Sequence, residues 1–192
     1  MALLTVHPTR LDERIASEVV AHTDRRIERV AGTLTWGADE HVLLALAAVG
    51  WALTRNAPTA ERRLGNHFLA CSLTAAGLPH VMKLFIDQER PDRLTVRGHF
   101  RGIPLSGKAN DAFPSGHALH VGALASAATL LPPKIRDTIW FAGTVLATTR
   151  VILLAHWLTD VVAGLAIGAI LERSLRKVTR AGEKRRKQSG AR

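Results

Sequence analysis

Tyrosine is absent from this sequence, and its single cysteine, Cys71, lies inside an apolar segment. One cysteine excludes an internal disulfide, and no Cys/His spacing of the zinc-binding kind occurs. Cys71 therefore reads as a small buried thiol. Residues 1–38 lack the continuous apolar core of a secretory signal, so no cleaved leader is expected. Acidic residues are few: 16 Asp and Glu stand against 26 Lys and Arg, giving a net charge of +10. Nine of the 26 fall in 173–192. A basic tail suits nucleic acid or anionic lipid headgroups. This one has no interleaved aromatics and follows the apolar run 161-VVAGLAIGAIL-171, which excludes nucleic acid and favours the cytoplasmic flank of a membrane protein.

Charge is also missing from long internal stretches. The run 41-HVLLALAAVGWALT-54 is uncharged over 14 residues, and 64-LGNHFLACSLTAAGLPHVM-82 over 19. A third uncharged run covers 112–133, and 138–171 carries only Arg150 and Asp160 in 34 residues. One bilayer crossing needs roughly 20 residues, so the last stretch is expected to be two spans meeting near Ala155. Abundant Gly and Ala suit close helix contacts in a membrane. Upstream, Leu11, Ile15, Val19, Val20, Ile27 and Val30 recur mostly at three- and four-residue spacing among charged residues. That is an amphipathic helix, which cannot span; it lies on the surface or packs beside a bundle. The expected fold is all-α, a polytopic membrane helical bundle of about five spans with an N-terminal amphipathic helix. A soluble bundle with buried helices is the alternative.

Three clusters carry chemistry. In 83-KLFIDQERP-91, Lys83 ends an apolar run and Arg90-Pro91 follows; alone, such a lysine reads as snorkelling. In 113-FPSGHALH-120, Pro114, Ser115, Gly116 and His117 stand at the mouth of an apolar helix. That is either ordinary capping or an anion site built on free N–H groups and a positive dipole end. In 149-TRVILLAHWLTD-160, Arg150 and Asp160 are charges at membrane depth, where charge is costly and usually functional. His156 and Asp160, four apart, share a helix face, so the carboxylate can fix the imidazole tautomer.

Positive residues orient the chain. With the tail cytoplasmic, Lys134, Arg136, Arg55, Arg62 and Arg63 also fall inside, and all three clusters fall together on the outer face. The polar loop 87–111, with five Lys or Arg after Glu89, falls there too; long ordered loops are usually functional. Three cations, a helix start and two histidines make a kit for phosphoryl transfer. The cations, Ser115 and the Gly116 N–H would bind phosphate, one histidine would attack phosphorus and the other protonate the leaving oxygen.

At these residues the sequence resembles the type 2 phosphatidic acid phosphatases, which share a core with vanadium haloperoxidases. That family carries Lys, six residues, Arg-Pro; then Pro-Ser-Gly-His; then Ser-Arg, five residues, His, three residues, Asp. Here Lys83 and Arg90-Pro91, 114-PSGH-117, and Arg150, His156 and Asp160 match in order and spacing. The resemblance implies His156 as nucleophile through a phosphohistidine, Asp160 as its orienter, and His117 as proton donor to the leaving group. It implies Lys83, Arg90, Ser115, Gly116 and Arg150 as phosphate ligands, with no metal and no cofactor. Thr149 replaces the usual Ser, Leu158 stands where Pro is common, and one of the usual six spans is replaced by the amphipathic segment. Asp111 and His120 lie near the site without an assigned role.

The expected organisation is an interfacial helix over 1–38, a transmembrane catalytic domain over 39–175 and a basic cytoplasmic tail over 176–192. The expected activity is metal-independent hydrolysis of a lipid phosphate: polyprenyl diphosphate, phosphatidic acid or phosphatidylglycerophosphate. The partners are this lipid substrate and the bilayer, with no nucleic acid, in a bacterial plasma membrane with the site outward. A non-catalytic lipid-phosphate binding or transport protein is the alternative. Retention of both histidines and Asp160 disfavours it, because binding needs only the cations.

Overall fold

The computed structural model describes residues 3–91 and 109–181. The middle of the polar loop and most of the basic tail lie outside them.

The amphipathic segment forms two helices. Thr9 and Asp12 close a capping box that starts α1 (Arg10–His22). Asp24 then accepts hydrogen bonds from the Arg26 and Ile27 amides at 2.8 Å each. It thereby starts α2 (Arg25–Leu34), because a short acidic side chain competes with the helical backbone for its own amides. A 3₁₀ turn, Thr35–Ala38, leads to Asp39, which caps α3 (Glu40–Leu53). Next come α4 (Thr59–Met82), α5 (Gly116–Ala127), α6 (Pro133–Ile152) and α7 (Leu158–Thr179). The 138–171 stretch breaks at 153–157, near the Ala155 meeting point expected for two spans. Two short strands, β1 (Leu4–Thr5) and β2 (Ile86–Asp87), pair in parallel, Leu4 opposite Ile86.

The central element is α5, most of whose residues are buried. It packs against α7 almost backbone to backbone. A methyl group on Gly164 would come within 2.7 Å of the Ser115 carbonyl. One on Gly168 would collide with the Leu119 carbonyl, and one on Gly122 with that of Leu165. Gly164 and Gly168, four apart, form the small-residue stripe that lets two helix backbones approach. Ala118, Ala147, Val151 and Val161 fill the space toward α6, with Ile15 and Val19 of α1 packed on them. Ala16 joins Ala112, Leu154 and Trp157 in a second cluster. Burying a residue such as Leu154 stabilises by about 2 kcal/mol.

At the opposite end of α7 the buried Glu172 accepts from Ser126 Oγ at 2.7 Å and Arg176 Nε at 2.7 Å, and pairs with His67 Nε2 at 2.8 Å. Among the described residues, no helix is long and apolar enough to cross a membrane, which differs from the five apolar spans expected. The helices α3 and α5, with 14 and 12 residues, are too short for a span of roughly 20. Asp160 and Glu172 interrupt α7, and both are fully buried against protein. Outward faces are apolar instead: Leu46, Leu53, Leu73, Phe141, Val162 and Ile170 are all exposed.

Candidate active site

The cations after α4 are delivered by backbone stitching. Lys83 caps α4, its amide bonded to the Pro79 carbonyl at 3.0 Å. Val6 N–H donates to Asp87 O at 2.8 Å, Gln88 N–H to Asn110 O at 3.1 Å and Ala112 N–H to Gln88 O at 3.0 Å. Trp157 Nε1 reaches Glu89 O at 2.8 Å. This frame carries Arg90 into the interior, where Nη1 donates to Ala155 O at 2.7 Å. Its Nε and Nη2 donate to Asp111 Oδ1 at 3.0 and 2.7 Å. The other oxygen of Asp111 lies 3.8 Å from Lys83 Nζ.

The second cluster opens α5. Ser115 is the N-cap; its Oγ accepts from Ala118 N–H at 3.4 Å, and its own N–H donates to the Asp160 carbonyl at 3.3 Å. Ser115 is buried, while Gly116 and His117 are partly open. The side chain of Pro79 lies against Gly116, so α4 walls the helix mouth on one side and α7 on the other.

The third cluster is the corner between α6 and α7. Leu154 adopts a left-handed backbone, φ 51°. The Ala155 and His156 amides both donate to Arg150 O, at 3.0 and 3.2 Å. His156 Nδ1 meets Ala112 O at 2.7 Å. A carbonyl only accepts, so Nδ1 carries the proton and Nε2 the lone pair. The carboxylate expected to do this is farther away, with Asp160 Oδ2 3.7 Å from Nδ1. That oxygen instead accepts from Trp157 N–H at 2.9 Å, capping α7. Asp160 belongs to α7, whereas His156 sits just before the helix, so the four-residue spacing does not place them on one helical face. Arg150 is buried; Nη1 donates to Thr35 Oγ1 at 3.1 Å and, among the described residues, Nε has no partner.

All eight residues expected at the site gather at one end of the bundle, linked by these bonds or by mutual fields. Burial, then the positive charges of Arg90, Arg150 and Lys83, hold His156 well below the ordinary histidine pKa of 6.5. His117 lies in the field of Arg150, Asp39 and Lys83. The arrangement offers a neutral imidazole with an unprotonated nitrogen, cations for a phosphate group, and an unpartnered buried donor on Arg150.

Three contributors were not assigned from sequence. Thr35 and the Ala112 carbonyl leave no signal, since a backbone oxygen or a lone hydroxyl has no spacing rule. Asp12 has one: Thr9-x-x-Asp12 is a capping pattern. Its further bonds, from Thr159 N–H at 3.0 Å and Thr159 Oγ1 at 2.9 Å, required the fold. Burial raises the Asp12 pKa, but the bonds from Thr159 and Thr9 outweigh that and hold it below the usual carboxylate value.

The sequence matches the PAP2 superfamily over residues 65–181. Over 93 residues it is 42% identical to a lipid A 1-phosphatase of Rhizobium johnstonii, covering 48% of this chain and 38% of that protein. Over 106 residues it is 37% identical to a lipid A 1-phosphatase of Rhizobium etli, covering 55% and 46%. The matches thus span less than half the length of these curated relatives. In fold it is similar to the crystal structure of Aquifex aeolicus LpxE, with TM-score 0.66 and 16% identity over 88% of this chain and 96% of that one. It is also similar to a transmembrane PAP2-type phosphatidylglycerolphosphate phosphatase from Bacillus subtilis, with TM-score 0.62 and 21% identity over 88% and 84%. With the family match covering more than half of its length and the motif residues gathered at one site, the chain belongs to the PAP2 superfamily.

Proposed function

We propose that this protein hydrolyses a lipid phosphate through a phosphohistidine, without a metal. The observation that carries the reading is His156: a neutral imidazole whose Nδ1 proton is held by Ala112 O at 2.7 Å, with Lys83, Arg90 and Arg150 around it. His156 Nε2 attacks phosphorus as the bond to the lipid oxygen breaks. His117 gives that oxygen a proton, then takes one from the water that cleaves the phosphohistidine and releases phosphate. The arriving phosphate neutralises Lys83 and Arg150 and so favours a proton on His117. Lys83, Arg150, Ser115 and the Gly116 N–H hold the equatorial oxygens where charge develops, with Arg90 bracing the cluster. Asp160 fixes the start of α7 and thereby the corner that carries His156.

The substrate class we infer is a membrane lipid bearing a phosphomonoester. The two relatives named lipid A 1-phosphatases support a phosphorylated glycolipid over the polyprenyl diphosphate, phosphatidic acid or phosphatidylglycerophosphate that the family resemblance implies. A membrane location is supported by the apolar outward faces of α3, α4, α6 and α7 and by charges that face inward. Asp160 and Glu172 are buried against protein, so lipid would not meet them. The site would lie at the outer membrane–water boundary.

Phosphate release in detergent with EDTA tests the reading. The panel is lipid A, phosphatidic acid, phosphatidylglycerophosphate and undecaprenyl diphosphate, wild type against His156→Ala. Release by the wild type alone is expected, with lipid A the best substrate. Equal release by both proteins would remove His156 from the chemistry, and loss of activity in EDTA would remove the metal-free mechanism. Vanadate binding without turnover of any lipid would favour a lipid-phosphate binding protein.

A further inference from the structure

We propose that Asp111 is a specificity-determining residue, an internal carboxylate that sets the charge of the cationic site to suit a phosphomonoester over a diphosphate. This rests on the phosphate site proposed above. Three cations converge there, and Asp111 contacts two of them, Arg90 through Oδ1 at 2.7 and 3.0 Å and Lys83 through Oδ2 at 3.8 Å. Its two oxygens bridge these cations much as two phosphate oxygens would.

The carboxylate is held there by backbone. Residue 111 bridges Gln88 in parallel register, and the neighbouring amide of Ala112 is tied to Gln88 O at 3.0 Å. The same short segment carries Ala112 O, which holds His156, so one backbone segment places both the carboxylate and the imidazole. Asp111 thereby lowers the positive charge that these cations present by one unit. A phosphomonoester carries roughly two negative charges near neutral pH. A diphosphate monoester carries one more, and its extra charge would meet Asp111 unpaired. Asp39 and Glu40 stand nearby, but among the described residues neither forms an ion pair with Lys83, Arg90 or Arg150. Asp111 contacts both Lys83 and Arg90 directly.

The test measures dissociation constants for inorganic phosphate and pyrophosphate, and turnover of undecaprenyl phosphate against undecaprenyl diphosphate. The proteins are wild type, Asp111→Asn and Asp111→Glu. Asn keeps an acceptor for Arg90 but removes the charge; Glu keeps the charge. Wild type should bind phosphate at least as tightly as pyrophosphate. In Asp111→Asn the pyrophosphate-to-phosphate affinity ratio should rise by about tenfold or more, as expected for one unit charge removed beside a bound anion. The KM ratio of the two lipids should move in the same direction. Asp111→Glu should keep the wild-type ratio. An unchanged ratio in folded Asp111→Asn overturns the proposal, as does a wild type that prefers pyrophosphate, whether or not the variant folds. Loss of both anions from Asp111→Asn at an unchanged thermal midpoint also overturns it, since Asp111 would then only position Arg90. A wild type that binds neither anion overturns the phosphate site itself, and this role of Asp111 with it.

Discussion

The imidazole of His156 is held by the Ala112 carbonyl, 2.7 Å from Nδ1, and not by Asp160, whose nearer oxygen stands 3.7 Å away. A backbone oxygen keeps the proton on Nδ1 whatever residue occupies position 160. Asp160→Asn should therefore retain turnover within about 10²-fold of wild type, whereas His156→Ala should lose more than about 10³-fold. Single-turnover phosphate release compares them. Equal loss in the two variants would mean that the carboxylate moves onto Nδ1 when substrate binds.

Protonation of His156 is disfavoured by burial and by three cations, so its native pKa lies well below 6.5. No acid limb from His156 should then appear in kcat/KM between pH 8 and 6.5, because that limb lies lower. Stability follows from the same shift. Below 6.5 the unfolded chain binds a proton at this position that the native protein refuses, so stability falls as pH drops from 6.5 toward the lowered native value. The thermal midpoint of wild type should fall more steeply between pH 7 and 5 than that of His156→Gln. Parallel curves would show that His156 titrates normally in the fold.

Gly164 and Gly77 separate close packing from mere helix propensity. A methyl at Gly164 meets the Ser115 carbonyl at 2.7 Å, while at Gly77 nothing lies within 4 Å. Gly164→Ala should destabilise by about 1–3 kcal/mol. It should also cut activity by about tenfold, because Ser115 and the helix mouth move with that carbonyl. Gly77→Ala should be neutral or gain up to about 1 kcal/mol. Thermal midpoints and KM in detergent report both effects, and a silent Gly164→Ala would show that α5 and α7 separate freely.

Asp12 links the N-terminal helix to the start of α7, beside the corner that carries His156, through Thr159. Asp12→Ala leaves the Thr159 amide and hydroxyl without this acceptor and opens the capping box of α1. A loss of about 2 kcal/mol is expected, together with a fall in kcat at little change in KM, since Thr159 precedes Asp160. An unchanged kcat would confine Asp12 to anchoring α1.

Spacing alone determined much of this protein. The uncharged runs located the later helices, the 34-residue stretch announced its own break near Ala155, and three motifs named the residues that now stand together. These are local properties: helical periodicity, the length of an apolar run, and the residue types that phosphate chemistry needs. What only the tertiary structure decided was which groups meet. The amphipathic segment gave no hint that Asp24 would divide it, that Asp12 would cap a distant helix, or that Thr35 would hold Arg150. The sequence paired His156 with Asp160 because they are four apart, yet the chain turns at Leu154 and a helix begins only after Trp157, so helical spacing does not apply there. Likewise, hydropathy sums along the chain cannot separate Glu172, satisfied by Ser126, Arg176 and His67, from a charge facing outward. Charge partners and backbone acceptors belong to residues far apart in sequence, and only folding brings them into contact.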